Sequence, residues 1–268
     1  MKAVKARMPY IKIHITRDRR SDQRLALRAR CIDRVHSSME GLVSQVDMIV
    51  IAVPIDATVP VAQAIKRFES VRTHPLLVID IASVKTNIAH VFESLTSSRM
   101  EFLPTHPMAG SEKSGFQFST ADLFAKRPWV ITPHGHSTAW AKTIMRRVIT
   151  SMGGIPHLLP LGEHDRIIAS VSHLVFLIST YLYAFVHDHR RAGPDLTGSG
   201  FEEVTRLASG SADMHASIYR ENRRAIEKAH KEFIKFMKGY PLSPRSSLQF
   251  FKKYKRARDR QYNLSSRT

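Results

Sequence analysis

The sequence predicts an α/β domain built on a parallel sheet, followed by an all-α domain. Three observations point there. Short continuous apolar runs, at 46–54 and 76–80, alternate with helical stretches through the first half, as expected of strands covered by helices on both faces. After Gly153-Gly154 the strand signals stop and helical periodicity takes over. A chain of 268 residues is long enough for two modest domains, each with its own core. The expected division is 1–160 and 161–268.

Taken in order, Ile11, Ile13 and Ile15 alternate with Lys12 and His14 and predict a strand over 10–16. A basic helix follows over 21–30. The run Val46-Asp-Met-Ile-Val-Ile-Ala-Val-Pro54 reads as a buried strand closed by proline, with a helix after it over 58–68. A second buried strand spans 76–80, and a helix is expected over 87–95. A short strand at 129–132 is stopped by Pro133. Beyond it, helices are expected over 163–189, 201–208, 213–239 and 246–262, with breaks at Gly193-Pro194 and at Pro241-Leu-Ser-Pro244.

The net charge of +18 is unevenly placed. Residues 1–34 carry eleven Lys/Arg against three Asp/Glu, residues 223–268 carry fourteen against three, and the long middle is nearly balanced. Basic ends can attract polyanions. No zinc-finger spacing, RNP-like strand or Gly-Arg repeat accompanies them, so a solvated face is the expected reading and nucleic acid is not an expected partner. The single Cys31 excludes an internal disulfide framework and a cysteine zinc cluster, and a cytoplasmic location is expected. The run 167–186 lacks Asp, Glu, Lys and Arg and is long enough to span a bilayer. Its Ser170, Ser172, His173, Ser179 and Thr180 favour instead a buried helix of a bundle, so no membrane partner is expected.

Chemistry concentrates in Thr105-His-Pro-Met-Ala-Gly-Ser-Glu-Lys-Ser-Gly115. An imidazole, a proline, small residues, a carboxylate and an ammonium make poor core. They suit a loop that brings a general base to a small anionic substrate and a flat cofactor. Pro107 restricts His106 toward extended geometry, and Ala109 and Gly110 permit close approach.

This stretch resembles the catalytic loop of the prephenate/arogenate dehydrogenases. Further motifs resemble that family in the same order: Val53-Pro-Ile-Asp-Ala-Thr58, Asp80-Ile-Ala-Ser-Val-Lys85, His164-Asp165, Ser172-His-Leu174, Gly198-Ser-Gly-Phe…Thr205-Arg-Leu-Ala208 and Arg220-Glu-Asn-Arg223. The resemblance covers about residues 10–260. It implies a Rossmann-like domain, a helical domain that dimerises, NAD or NADP as cofactor, and prephenate or arogenate as substrate. The implied reaction is oxidative decarboxylation to 4-hydroxyphenylpyruvate or tyrosine. His106 then matches the catalytic base, and Ser83 a catalytic serine that also touches the cofactor; Ser83 could equally cap the next helix. Arg206 matches a carboxylate anchor, for which the guanidinium fork is suited. Ser111, Glu112, Lys113, Asp165 and His173 match positions around the substrate, and Val53 and Pro54 line the cofactor.

Departures from that pattern are expected to alter the substrate site. Phe176 stands for a histidine, Glu202 for a basic residue and His215 for a tryptophan. The glycine-rich turn that cradles a dinucleotide pyrophosphate should lie ahead of the strand at 10–16, yet the first glycine is Gly41. Residues 2–8 read as the tail of the helix that would follow such a turn. Asp18 sits where an acid binds the adenosine ribose, while Arg19 and its neighbours suit a 2′-phosphate, so NAD and NADP both stay open. The expectation is a chain without the first strand and glycine turn; the alternative to an enzyme is a non-catalytic paralogue acting as a dimeric or basic binding protein.

Overall fold

The computed structural model describes residues 1–16, 20–110, 115–189, 196–240 and 243–265. They form two compact units, Met1–Ile226 and Glu227–Thr268.

The first unit opens with α1 (Lys2–Arg7), β1 (His14–Thr16), α2 (Arg20–Arg28), β2 (Arg34–His36), α3 (Met39–Val43), β3 (Met48–Ile51) and α4 (Ile55–Lys66). It continues with β4 (Leu76–Asp80), α5 (Thr86–Leu95), β5 (Met100–Leu103), β6 (Thr105–Pro107), β7 (Pro128–Ile131), α6 (Ala139–Ser151) and β8 (Ile155–Leu158). β3, β4 and β5 pair in parallel. β4 is buried along its whole length, and its alternate residues serve two cores. Leu76 and Val78 join Ile49, Ile65, Phe92 and Phe102 on one face. Leu77 and Ile79 join Ala3, Met8, Trp129, Met145 and Ile149 on the other. This two-faced burial is what made the 76–80 run legible.

Pro104 divides the next segment. Before it, β5 pairs in parallel with β4; after it, β6 pairs antiparallel with β7. A proline has no N–H for the ladder, which favours a change of partner there. β7 then pairs in parallel with β8. The sheet system is thus parallel apart from the β6–β7 pair. β1 pairs with β2, and among the described residues no strand joins this ladder to β3. The expected strand at 10–16 keeps only its last three residues as β1; Ile13 N–H instead donates to Asp33 Oδ2 at 2.6 Å. Residues 2–7 form α1, and Ala3 and Met8 lie in the core.

The helical part follows as α7 (Leu161–Ile168), a π-type turn at Ala169–His173, α8 (Leu174–His189), α9 (Ser199–Thr205), α10 (Ala212–Glu221) and α11 (Arg223–Lys238). The single helix expected over 213–239 is broken at Asn222. The expected break at Gly193-Pro194 lies outside the described residues. The expectation of a buried apolar helix needs correction within one chain. The continuous run Leu161–His189 is apolar and long enough to cross a membrane by length and composition, yet only 28% of its most apolar window is buried. Leu174 and Ser179 face inward, while Val171, Val175, Tyr181, Tyr183 and Phe185 are exposed. In the second unit, α12 (Pro244–Ser265) places Phe250 against Tyr240 and Tyr254, at ring separations of 4.5 and 4.7 Å.

Candidate functional site

The carboxyl end of β4 carries a buried ionic knot. Asp80 and Lys85 are both fully buried and ion-paired. Asp80 Oδ1 accepts from Thr105 N–H at 3.1 Å and Oδ2 from Ala82 N–H at 3.0 Å. Thr105 Oγ1 donates to the Asp80 carbonyl at 2.6 Å and accepts from Trp129 Nε1 at 3.0 Å. These bonds tie the end of β4 to β6 and β7, and so fix the backbone that carries His106. Burial pushes the Lys85 ammonium down against the pull of Asp80 and Asp165.

His106 sits on β6, paired with Val130, rather than on a loop as the sequence suggested. The correction has a physical basis: Thr105 is anchored by Asp80, and Pro107 lies in extended backbone compatible with a sheet edge. The ring is 8% exposed. Burial, then the nearby Lys85 charge, holds its pKa well below 6.5, so the imidazole is neutral at neutral pH and can accept a proton. His106 Nδ1 lies 3.1 Å from His164 Nε2, and His164 Nδ1 lies 2.7 Å from Asp165 Oδ1.

Asp165 is the hub of this cluster. Its carboxylate also accepts from Lys85 N–H and Thr86 N–H, each at 2.8 Å, and from Thr86 Oγ1 at 2.5 Å. It therefore caps the N-terminus of α5 from a distant helix, where a negative charge is favoured. Burial alone would raise its pKa; the hydrogen bonds from His164, Thr86 and the Lys85 backbone outweigh that and hold it at about 2. Both oxygens accept from protein donors, so Asp165 ties the α7 segment to the start of α5. The capping role open to Ser83 is filled by Asp165. Ser83 is half-buried in the loop between β4 and α5, two residues from the backbone N–H that Asp165 holds.

His173, at the end of the π-type turn, is 4% exposed. Asn222 Nδ2 donates to the Asp165 carbonyl at 2.9 Å and lies 3.2 Å from His173 Nδ1. His173 Nε2 is buried and has no hydrogen-bond partner among the described residues. Burial lowers the pKa of His173 to about 4. One turn on, Phe176 stacks on His215 with ring centroids 3.3 Å apart and planes 7° from parallel. Two of the departures expected to alter the substrate site thus touch each other.

The remaining candidates spread out. Val53 and Pro54 are exposed just past the carboxyl end of β3, the edge where α/β folds bind ligands. Arg206 is exposed at the end of α9, with Glu202 exposed on the preceding turn. Asp18, Arg19, Ser111, Glu112 and Lys113 lie outside the described residues. Among the described residues, a Cβ at Gly110 would meet nothing within 4 Å. Sequence reasoning missed His164 and Asn222 as members of the site. The signal for Asn222 was present: asparagine inside a helical stretch is a poor helix former whose amide competes for backbone partners. His164 was singled out only as part of the His164-Asp165 motif, which gave it no role of its own.

Two family profiles match the chain: "Prephenate dehydrogenase, nucleotide-binding domain" over residues 2–155 and "Prephenate dehydrogenase, dimerization domain" over 161–240. The prephenate dehydrogenase of Bacillus subtilis is 27% identical over 208 residues, covering 76% of this chain and 55% of that protein. The chain therefore spans little more than half of that relative. The cyclohexadienyl dehydrogenase of Zymomonas mobilis is 26% identical over 218 residues, covering 79% of this chain and 73% of that protein. Among solved structures, a prephenate dehydrogenase from A. aeolicus in complex with hydroxyphenyl propionate and NAD+ superposes with a TM-score of 0.82 at 22% identity, over 98% of this chain and 92% of that one. That likeness fixes the fold: a Rossmann-like domain followed by helices.

Proposed function

The chain belongs to the prephenate dehydrogenase family, and we propose that it carries the family's oxidative decarboxylation of a cyclohexadienol, prephenate or arogenate, with His106 as base. The observation that carries this reading is a neutral, buried imidazole at the sheet's edge, held from behind by His164 and Asp165.

A dinucleotide fits part of this surface. The exposed Val53 and Pro54 and the Ser83 loop would hold its nicotinamide half, with Asp18 or Arg19 at its adenosine half. The residues of this chain include no glycine turn for the pyrophosphate. A bound NAD or NADP supplies a hydride acceptor. His106 takes the ring hydroxyl's proton while that carbon gives up hydride; the proton returns to the ring oxygen as carbon dioxide leaves and the ring becomes aromatic. Ser83 hydrogen-bonds the hydroxyl and helps orient it. Arg206 grips a carboxylate, and the family resemblance assigns Ser111, Glu112, Lys113, Asp165 and His173 to substrate binding. Glu202, where a cation is usual, favours a substrate bearing an ammonium, hence arogenate over prephenate.

The division at 160/161 then separates a cofactor domain from a substrate and dimerisation domain. The partner we propose is a second copy of this chain, covering the exposed apolar residues of the π-type turn and α8, Val171, Val175, Tyr181 and Phe185. A cytoplasmic location fits the lone, buried Cys31.

The test is direct. Purified chain is mixed with each cofactor and each substrate, and reduced cofactor is followed by absorbance; turnover with at least one pair is expected. No turnover with any pair, together with no cofactor binding by calorimetry, would sink the enzyme reading and favour a dimeric binding protein.

A further inference from the structure

Asp165 reaches two histidines through two different acceptor groups, His164 directly through its carboxylate and His173 through Asn222 at its carbonyl, and neither group has a proton to give. Its ionised carboxylate accepts from His164 Nδ1, so that nitrogen carries the hydrogen. In a neutral ring, His164 Nε2 then holds a lone pair. Across 3.1 Å, His106 Nδ1 must be the donor to it, which leaves His106 Nε2 as the bare nitrogen. A doubly protonated His164 would reverse this order.

The second arm runs through the backbone. The Asp165 carbonyl can only accept, so it fixes the Asn222 amide with Nδ2 toward it. The other Nδ2 hydrogen is directed at His173 Nδ1, 3.2 Å away. His173 Nδ1 is then an acceptor, and Nε2 carries the hydrogen. That N–H is buried without a partner among the described residues. A donor in this state is destabilising until something accepts from it. The π-type turn that ends at His173 is the kind of helix irregularity that re-aims a side chain.

We propose that Asp165, through His164 and Asn222, locks the two imidazoles in opposite senses: His106 Nε2 accepts a proton, and His173 Nε2–H donates to an oxygen of the bound substrate. His164 and Asn222 are positioning residues in this scheme, and His173 is a binding residue specific for an acceptor oxygen, carboxylate or carbonyl. The inference rests on the reading of His106 as base, but the lock itself is a property of the chain alone.

The experiment is long-range 1H–15N correlation NMR on the full chain labelled in its histidines, at neutral pH and without ligand, each ring being linked to its own backbone by through-bond correlation. Expected are a neutral His106 protonated on Nδ1 and a neutral His173 protonated on Nε2. A His106 protonated on Nε2, a doubly protonated His164, or a His173 protonated on Nδ1 would overturn the lock. Adding NAD+ and prephenate, then arogenate, should shift the His173 Nε2–H resonance; a substrate that turns over and leaves it unmoved refutes the donor role. In His164→Phe, the His106 tautomer should become mixed and kcat fall about a hundredfold, with KM nearly unchanged. His164→Gln, which can restore an acceptor, should recover part of that loss. Should the tautomers appear as expected while no substrate turns over, the lock stands and the enzyme reading falls.

Discussion

The cluster around Asp165 and the outer wall formed by α8, α9 and α10 stand in contrast. In the cluster, Asp80, Lys85, Asp165 and His164 are buried, and their polar atoms find partners inside the chain. In the wall, Glu202, Arg206, Met214 and Tyr181 are exposed, and the three departures expected to alter the substrate site, Phe176, Glu202 and His215, lie there. The difference teaches where this chain can vary. A buried polar network tolerates little change, because removing one member strands the others without water. An exposed wall can change its charge and shape while the base behind it stays in place.

The largest expected effect comes from breaking the hub. Asp165→Ala removes one carboxylate from four donors, three of them on the loop and helix that follow β4. Leaving buried N–H groups unpaired should cost about 4 kcal/mol of folding stability, read by urea denaturation of the two proteins. A loss below about 1 kcal/mol would mean that the cluster is no more demanding than the wall, and the contrast would fail.

Next comes pH. His173 falls from 6.5 to about 4 on folding, so the unfolded chain takes up its proton first. Its contribution to stability is complete above about 6.5, is lost as pH falls toward 4, and amounts to about 3 kcal/mol. His106 is pushed the same way by burial and steepens that slope. Asp165, held at about 2 against 3.8, acts lower: its contribution is present above about 3.8 and disappears as pH falls through 2. Denaturation midpoints measured from pH 7 to pH 3 should show the first decline, and His173→Phe should flatten it. An unchanged slope in that variant would show that His173 is not the buried neutral base described here.

The uneven legibility of the sequence follows the same contrast. β4 was read to the residue because burial on both faces leaves a continuous apolar run. β6 was not, since Thr105-His-Pro107 has no apolar periodicity and becomes a strand only through tertiary bonds from Asp80 and pairing with β7. The helix break at Asn222 was passed over because 213–239 keeps its apolar spacing across it. His106 was picked out by its neighbours in sequence, whereas the His164-Asp165 motif was noted without its contact to His106 across 58 residues, which no local pattern encodes. Phe176 and His215 were each noted as departures, but their contact joins two helices and is visible only in the fold.

On the wall, Arg206→Ala tests a role that folding does not require. The side chain is exposed, so stability should change little. Losing a charge-assisted grip on a carboxylate should raise KM by about tenfold or more, equivalent to about 2 kcal/mol, with kcat less affected. Steady-state kinetics on the active pair would read it, and an unchanged KM would remove Arg206 from the substrate site.

The smallest effect is the most specific to this chain. A stacked pair of this kind contributes about 1 kcal/mol beyond area burial, and residues in contact show coupling that separated residues do not. In a double-mutant cycle, Phe176→Ala and His215→Ala should therefore destabilise less together than their separate losses sum to, by about 1 kcal/mol. If the stack also shapes the pocket, the same cycle run on KM should show coupling of the same sign, because either single change already opens the face that the pair closes. Coupling in stability without coupling in KM would make the two departures a repacked helix contact and leave Glu202 as the one change that bears on substrate. Coupling in both would mean that the wall of the pocket has been rebuilt as a unit while the base behind it kept its partners.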